Sequence, residues 1–198
     1  MKREPVPVDP AKTAPLGAAL ARAGLADPFD AIGERWMLVG ASLPHADGAL
    51  RDPFAPGTCG REWNLMTASW GGLGVLWNRP VVFAFVRPTR HSFGFMNGSP
   101  RFAASFYPES RRKALALCGA KSGRDNDKAA ETGLEAFEPA PGAVALEGHS
   151  LVLVCRTLHR QDLDPEGFLD PAIHGHYDKD WHRLYVGQVE AFIEGEAR

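Results

Sequence analysis

The chain has 198 residues, 44% of them hydrophobic and 23% charged, with a formal net charge of −2. That is the make-up of an ordinary globular domain, long enough to bury about 70% of its unfolded surface. A general nucleic-acid binder would carry a basic face, and no apolar run reaches the ~18 residues of a membrane span, so neither class is expected.

Residues 1–15 are rich in Pro and Lys and read as a loose arm. They lack the apolar stretch of a signal peptide, and a cytoplasmic location is expected. "LGAALARAGLADPFDAIG" begins as a helix and breaks at Asp27-Pro28. We separate residues 1–25, a flexible arm with a short helix, from a single domain over 26–198. "RWMLVGASL" is the first strand, and "PHADGALRDPFAPGTCG" is a loop of Pro, Gly and Asp. "NLMTASWGGLGVLW" is read as one strand interrupted by glycines. "PVVFAFVRP" is a strand bounded by prolines. "SFGFMNGSP" is a short helix ended by Gly98 and Pro100, and "RFAASFYP" is a strand. "SRRKALALCG" is a helix closed by Gly119, and "DNDKAAETGL" a second one with Asp125 as its N-cap. "HSLVLVCRTLHRQDL" and "HRLYVGQVEAFIE" are long, partly alternating strands. Strands dominate, and the helices are too short and irregularly placed for repeated βαβ units. A mainly β, closed antiparallel barrel with helical insertions is the expected fold. Cys59, Cys118 and Cys155 are too few and too far apart for a disulfide framework or a zinc site, and read as reduced thiols.

Four stretches carry candidate chemistry, each with a plainer alternative. In "MTASWGG", alternation puts Thr67 and Ser69 on one face and Met66, Ala68 and Trp70 on the other. The glycines that follow admit a group close to the backbone; equally, the segment is an edge strand turning into a loop. "VRPTRHS" crowds Arg87, Arg90, His91 and Ser92 where a strand enters a helix. This is either a monophosphate site or a solvated basic loop. "CGAKSGRDNDK" sets Lys121 and Ser122 between two helices, as an anion-binding nest or a charged surface turn. Its order of Gly, Lys and Ser is not that of a Walker loop. His182 stands at the mouth of the last strand, either as a structural donor or at a pocket rim. His174, His176 and His182 match no standard ligand spacing, so no metal is expected. No nucleophile elbow, H-E-x-x-H helix or Rossmann fingerprint occurs.

In order and in register, "NLMTASWGGLGVLWNRPVVFAFVRPTRHSFGFM", "ALCGAKSGRDNDK", "LVLVCRTLHRQDLDPEGFLDP" and "WHRLYVGQVE" resemble the flavin reductase-like proteins of the FMN-binding split-barrel superfamily. The resemblance covers most of the chain, from about Arg35 to about Phe192. It implies an antiparallel Greek-key split barrel that forms a homodimer, with one FMN per subunit near the interface. By the same resemblance Met66, Thr67, Ala68, Ser69 and Trp70 run beside the flavin, and Arg90, His91 and Ser92 reach its phosphate. Lys121 and Ser122 close over the phosphate from the third stretch, and Arg87 either joins them or braces the loop. His182 matches the histidine that such proteins place near the ring, where a nicotinamide stacks. The implied activity is an NAD(P)H-dependent flavin reductase with NADH or NADPH as co-substrate and hydride passing through flavin N5. The alternative is an FMN-binding electron carrier reduced by a partner protein.

Overall fold

The computed structural model describes residues 4–43 and 63–195. The whole stretch read as a loop of Pro, Gly and Asp, Cys59 included, lies outside the described residues. In chain order the elements are β1 (Val6–Pro7), α1 (Ala14–Arg22), β2 (Met37–Ser42), β3 (Trp63–Ala68), β4 (Gly71–Leu76) and β5 (Arg79–Val86). Then follow α2 (Ser92–Gly98), β6 (Arg101–Phe106), α3 (Arg112–Ala120), α4 (Lys128–Thr132), β7 (Ala136–Ala140), β8 (Ala143–Leu146), β9 (Leu151–Asp162) and β10 (Arg183–Glu194). Among the described residues no helix is long and apolar enough to cross a membrane.

The strands form one sheet in the order β4-β5-β10-β9-β6-β2-β8-β7, with β1 on β10 and β3 on β2. Every pairing is antiparallel. The fold is thus the mainly β, antiparallel split barrel expected from the sequence. The sheet rolls because strands far apart in the order face one core. Met37, Val82, Ala84, Phe102, Phe106, Leu153 and Tyr185 all bury side chains in the same cluster. The methyl of Met37 on β2 lies against Gly71, the first residue of β4. Burying each large apolar side chain contributes ~1.5–3 kcal/mol, and this shared core holds the roll.

Several local readings change. The stretch read as one glycine-broken strand is two strands, β3 and β4, which pair with β2 and β5 and not with each other. The chain turns at Ser69 and Trp70 and changes partner there. Of the glycines of β4, packing requires Gly71, where a Cβ would lie 2.6 Å from the Phe83 carbonyl oxygen and 2.7 Å from the Met37 methyl; at Gly72 and Gly74 it would make ordinary contact with the ring of Phe83. The N-cap of α4 is Asp127, whose Oδ1 accepts from the Ala130 amide at 3.0 Å, and not Asp125. Asp125 belongs to the turn before it, its amide donating to the Ser122 carbonyl. Gly119 lies inside the last turn of α3 rather than after it, and touches the Thr67 side chain. Within the N-terminal arm, Val6–Pro7 pairs with β10, and the Val8 amide donates to the Glu190 carbonyl at 2.7 Å. Strands β7 and β8 have no counterpart in the sequence reading.

Candidate functional site

Two cavities meet at Arg90, which lines both. The first, of about 120 Å3, is walled by Asn64, by 89–92 after β5, by 120–123 after α3, and by Lys128 at the start of α4. The second, of about 190 Å3, is walled by 66–70, Phe85, Arg87, Arg90 and His182. Every site residue singled out in the sequence lines one of them. Met66, Thr67, Ala68, Ser69, Trp70, Arg87 and His182 face the larger cavity. His91, Ser92, Lys121 and Ser122 face the smaller, and Arg90 faces both.

The smaller cavity is rich in cations. Arg90, His91, Lys121 and Lys128 face it, and no Asp or Glu is in its wall. Lys128 is buried, 3% exposed, and its Nζ donates to the carbonyls of Leu65 at 2.7 Å and Cys118 at 3.0 Å. Burial pushes its ammonium down to about 8, the Cys118 thiol opposes this, and nearby Arg90 adds to it. Arg90 donates from Nη2 to the Gly119 carbonyl at 2.8 Å. Its guanidinium is also lowered, by burial first and then by Arg87. His91 is lowered by burial and by the Arg124 and Lys128 charges, with Asp125 opposing. Arg90 and Lys128, buried cations held by carbonyls and not by carboxylates, leave a pocket that gains by admitting negative charge.

Two further observations show how the wall is shaped. The Asn64 side-chain amide donates to the buried Ser92 hydroxyl at 2.8 Å, joining β3 to α2. A side chain at Gly123 would lie 2.0 Å from Asn64 Oδ1, so only glycine lets the loop approach this closely. Lys121 is less available than the sequence suggests, because its Nζ pairs with Glu131 at 2.5 Å. Ser122 Oγ accepts from the Arg124 amide at 3.2 Å.

The larger cavity sets the apolar and aromatic side chains of Met66, Ala68, Trp70 and Phe85 beside polar ones from Thr67, Ser69, Arg87, Arg90 and His182. Its Thr67 hydroxyl donates to the Leu115 carbonyl, which leaves it only as an acceptor. The Ser69 hydroxyl makes no hydrogen bond among the described residues. Trp70, 44% exposed, stands with its ring centroid 5.0 Å from that of His182. His182 is buried, and its Nδ1 lies 2.9 Å from the Tyr177 hydroxyl. Burial and then Arg87 push its imidazole down to about 4, with Asp180 opposing. Arg87 is a brace. Its Nη1 pairs with Asp180 at 2.9 Å and its Nη2 donates to the His176 carbonyl at 2.7 Å. Both acceptors belong to residues 163–182, the excursion between β9 and β10.

Sequence reasoning missed Asn64, Phe85 and Lys128. Lys128 closes the quoted "CGAKSGRDNDK", but a lysine opening a helix looks like a solvated charge. Only the packing of α4 on β3 and α3 buries it. Among the described residues no three His, Cys, Asp or Glu side chains are placed to hold a metal ion.

An antiparallel split barrel with a cation-rich pocket that shares Arg90 with a cleft of mixed aromatic and polar lining is the class that fold and site define. The chain belongs to the flavin reductase like domain family, which it matches over residues 50–198. Solved structures share the fold. One is an FMN-binding protein from Thermus thermophilus with bound p-hydroxybenzaldehyde: 23% identity, 81% of this chain and 71% of that chain, TM-score 0.58. Another is the flavoredoxin of Methanosarcina acetivorans: 18% identity, 82% and 69%, TM-score 0.57. A third is a Streptomyces globisporus NADH:FAD oxidoreductase in complex with NAD and FAD fragments: 15% identity, 80% and 74%, TM-score 0.51. No curated protein matches the sequence.

Proposed function

We propose that this chain binds FMN along the joined cavities and works as an NAD(P)H-dependent flavin reductase. The observation that carries the reading is the smaller cavity, with Arg90 and Lys128 in its wall and no carboxylate, sharing Arg90 with a second cavity walled by Trp70 and Phe85. A phosphate tail fits the first and a planar ring fits the second. FMN, when bound, supplies the hydride and single-electron chemistry that no side chain has. The protein's part is binding and orientation. Arg90 and Lys128 hold the phosphate, Ser92 and Asn64 shape its wall, and His91, Lys121 and Ser122 close its rim. Residues 66–70 lie along the ring, with the Ser69 hydroxyl as a free donor. His182 stands at the ring end, uncharged at neutral pH because of burial and Arg87. NADH or NADPH is the co-substrate in this reading. The test mixes protein, FMN and each nicotinamide and follows absorbance at the nicotinamide band. FMN-dependent loss of NADH or NADPH is expected; FMN that binds while both nicotinamides stay inert would exclude it.

The second reading is an electron carrier reduced by a partner protein. The excursion over residues 163–182 favours it. His176 and Tyr177 sit against Trp70 and His182 at the ring end, where a nicotinamide would otherwise stack. Reduction by a partner protein with both nicotinamides inert distinguishes this reading from the first.

A homodimer goes with either reading. Val75 and Trp77 are 73% and 56% exposed on the outer hairpin β4–β5. Trp77 holds φ 53, a left-handed conformation unfavourable for a bulky residue. Among the described residues, strand β4 has a partner on one edge alone. A second copy would cover this apolar edge. Cys118 and Cys155 are buried thiols, which fits the reducing cytoplasm.

A further inference from the structure

We propose that Tyr177 is a positioning residue that fixes His182 as a hydrogen-bond donor at the ring end, and that this donor takes the carbonyl oxygen of a planar second ligand. The ligand's place rests on the FMN reading; the Tyr177–His182 pair does not.

The excursion over residues 163–182 carries two 3-10 turns, Pro165–Gly167 and Pro171–His176, capped by Asp164 and Asp170. Arg87 fixes its returning end at three points. It grips the His176 carbonyl and the Asp180 carboxylate, and its guanidinium carbon lies 5.1 Å from the Tyr177 ring centroid. Phe168 stacks on Tyr177 with centroids 5.9 Å apart at 8°, and Trp181 packs at 4.7 Å. Tyr177 therefore has little rotational freedom. Its hydroxyl is presented to His182 Nδ1 at 2.9 Å.

The direction of that hydrogen bond follows from acidity. A phenol O–H is a good donor and a neutral imidazole nitrogen a good acceptor. With Nδ1 accepting, the ring proton sits on Nε2. Nε2 makes no hydrogen bond among the described residues, and the imidazole lines the larger cavity. The titratable groups around His182 are Tyr177, Asp180, Arg87, Arg90 and, across Trp70, His176. Burial and Arg87 keep the ring uncharged at neutral pH. An uncharged N–H between Trp70 and Phe85 favours a neutral acceptor over a carboxylate. The carboxamide of a nicotinamide and a conjugated aldehyde or ketone share that acceptor, a carbonyl oxygen on a flat body.

The test has two arms. In flavin-free protein, imidazole 15N shifts report tautomer and charge. Wild type should show the Nε2–H form with no titration between pH 5 and 8. Tyr177→Phe, which keeps the ring packing, should mix the tautomers. Identical spectra, or a His182 that titrates near its ordinary value, would overturn the assignment. In FMN-loaded protein, p-hydroxybenzaldehyde and nicotinamide are titrated against the visible flavin band, with p-cresol as the control lacking a carbonyl. Tyr177→Phe should raise the Kd of a carbonyl ligand about tenfold and leave p-cresol unchanged. Equal loss for p-cresol, or no loss, counts against a carbonyl site. Whichever of aldehyde and nicotinamide binds identifies the source. Failure to take up FMN would sink the flavin reading and leave the NMR arm intact.

Discussion

Replacing Lys128 with Met separates the phosphate-binding reading from a purely structural lysine. The ammonium sits in the wall of the smaller cavity, donating to two carbonyls, with its remaining hydrogen available to a ligand. A charge-assisted hydrogen bond is worth about 1.5–3 kcal/mol net, so losing it should weaken FMN binding about 10- to 150-fold. The flavin-free fold should change less, because two effects oppose. The substitution strands two buried carbonyls, at about 1–3 kcal/mol each. It also removes a burial penalty of about 3 kcal/mol, the equivalent of the fall from 10.5 to about 8. The pH dependence is a second readout. The unfolded lysine keeps its proton to 10.5 and the folded one releases it at about 8. Between those values the native state binds fewer protons, so flavin-free stability gains from this group as pH rises. FMN affinity runs the other way: above about pH 8 the phosphate must recruit a proton onto Lys128, and affinity falls. Fluorescence titration of FMN between pH 7 and 9.5 reads this directly. If Lys128→Met binds FMN as wild type does, with the same pH profile, Lys128 does not touch the phosphate.

Gly123→Ala drives a methyl to 2.0 Å from Asn64 Oδ1 and should dislodge the Asn64–Ser92 hydrogen bond. FMN affinity should drop more than about tenfold, with a lower Tm by calorimetry. Arg90→Ala should weaken FMN binding with the fold intact, whereas Arg87→Ala should mainly free the excursion. In the Arg87 variant, hydrogen exchange over residues 170–181 should quicken while the FMN Kd moves less than about threefold. Equal loss of affinity in both variants would undo the distinction between them. Trp77→Asp places a charge on the exposed hairpin tip and should convert a dimer to monomer in sedimentation velocity; an unchanged dimer would locate the interface elsewhere.

Much of the fold was legible where one signal dominates. The Val- and Phe-rich run of β5, the Leu- and Val-rich run of β9 and the alternation of β10 announce strands whatever their neighbours. Strands β7 and β8 were hidden because "AFEPAPGAVAL" is short, Ala-rich and cut by Pro and Gly. They form because tertiary partners recruit them: Ala143 pairs with Ala41, and the Ser42 amide donates to the Gly142 carbonyl. The break between β3 and β4 carries no proline to mark it. It comes from the roll of the sheet, which takes β3 to β2 and β4 to β5. Asp125 and Asp127 are equally good caps by composition, and the turn closed on Ser122 decides between them.

The cations show why residue type alone could not rank the site. Arg87, Arg90, Lys121 and Lys128 look alike in the sequence. What sorts them is where the carboxylates fall, at long range. Asp180, 93 residues on, takes Arg87, and Glu131 takes Lys121. Arg90 and Lys128 find carbonyls instead, at Gly119, Leu65 and Cys118. A carbonyl accepts the hydrogen bond but leaves the charge standing. Two buried or half-buried cations are thus oriented by neutral acceptors toward one cavity, and burial first, then a neighbouring arginine (Arg87 for Arg90, Arg90 for Lys128), makes each charge more costly. The carbonyls offset part of that cost, and the phosphate dianion of the proposed FMN would offset the rest for both cations at once. A fold that merely needed its helices pinned could have used uncharged donors there.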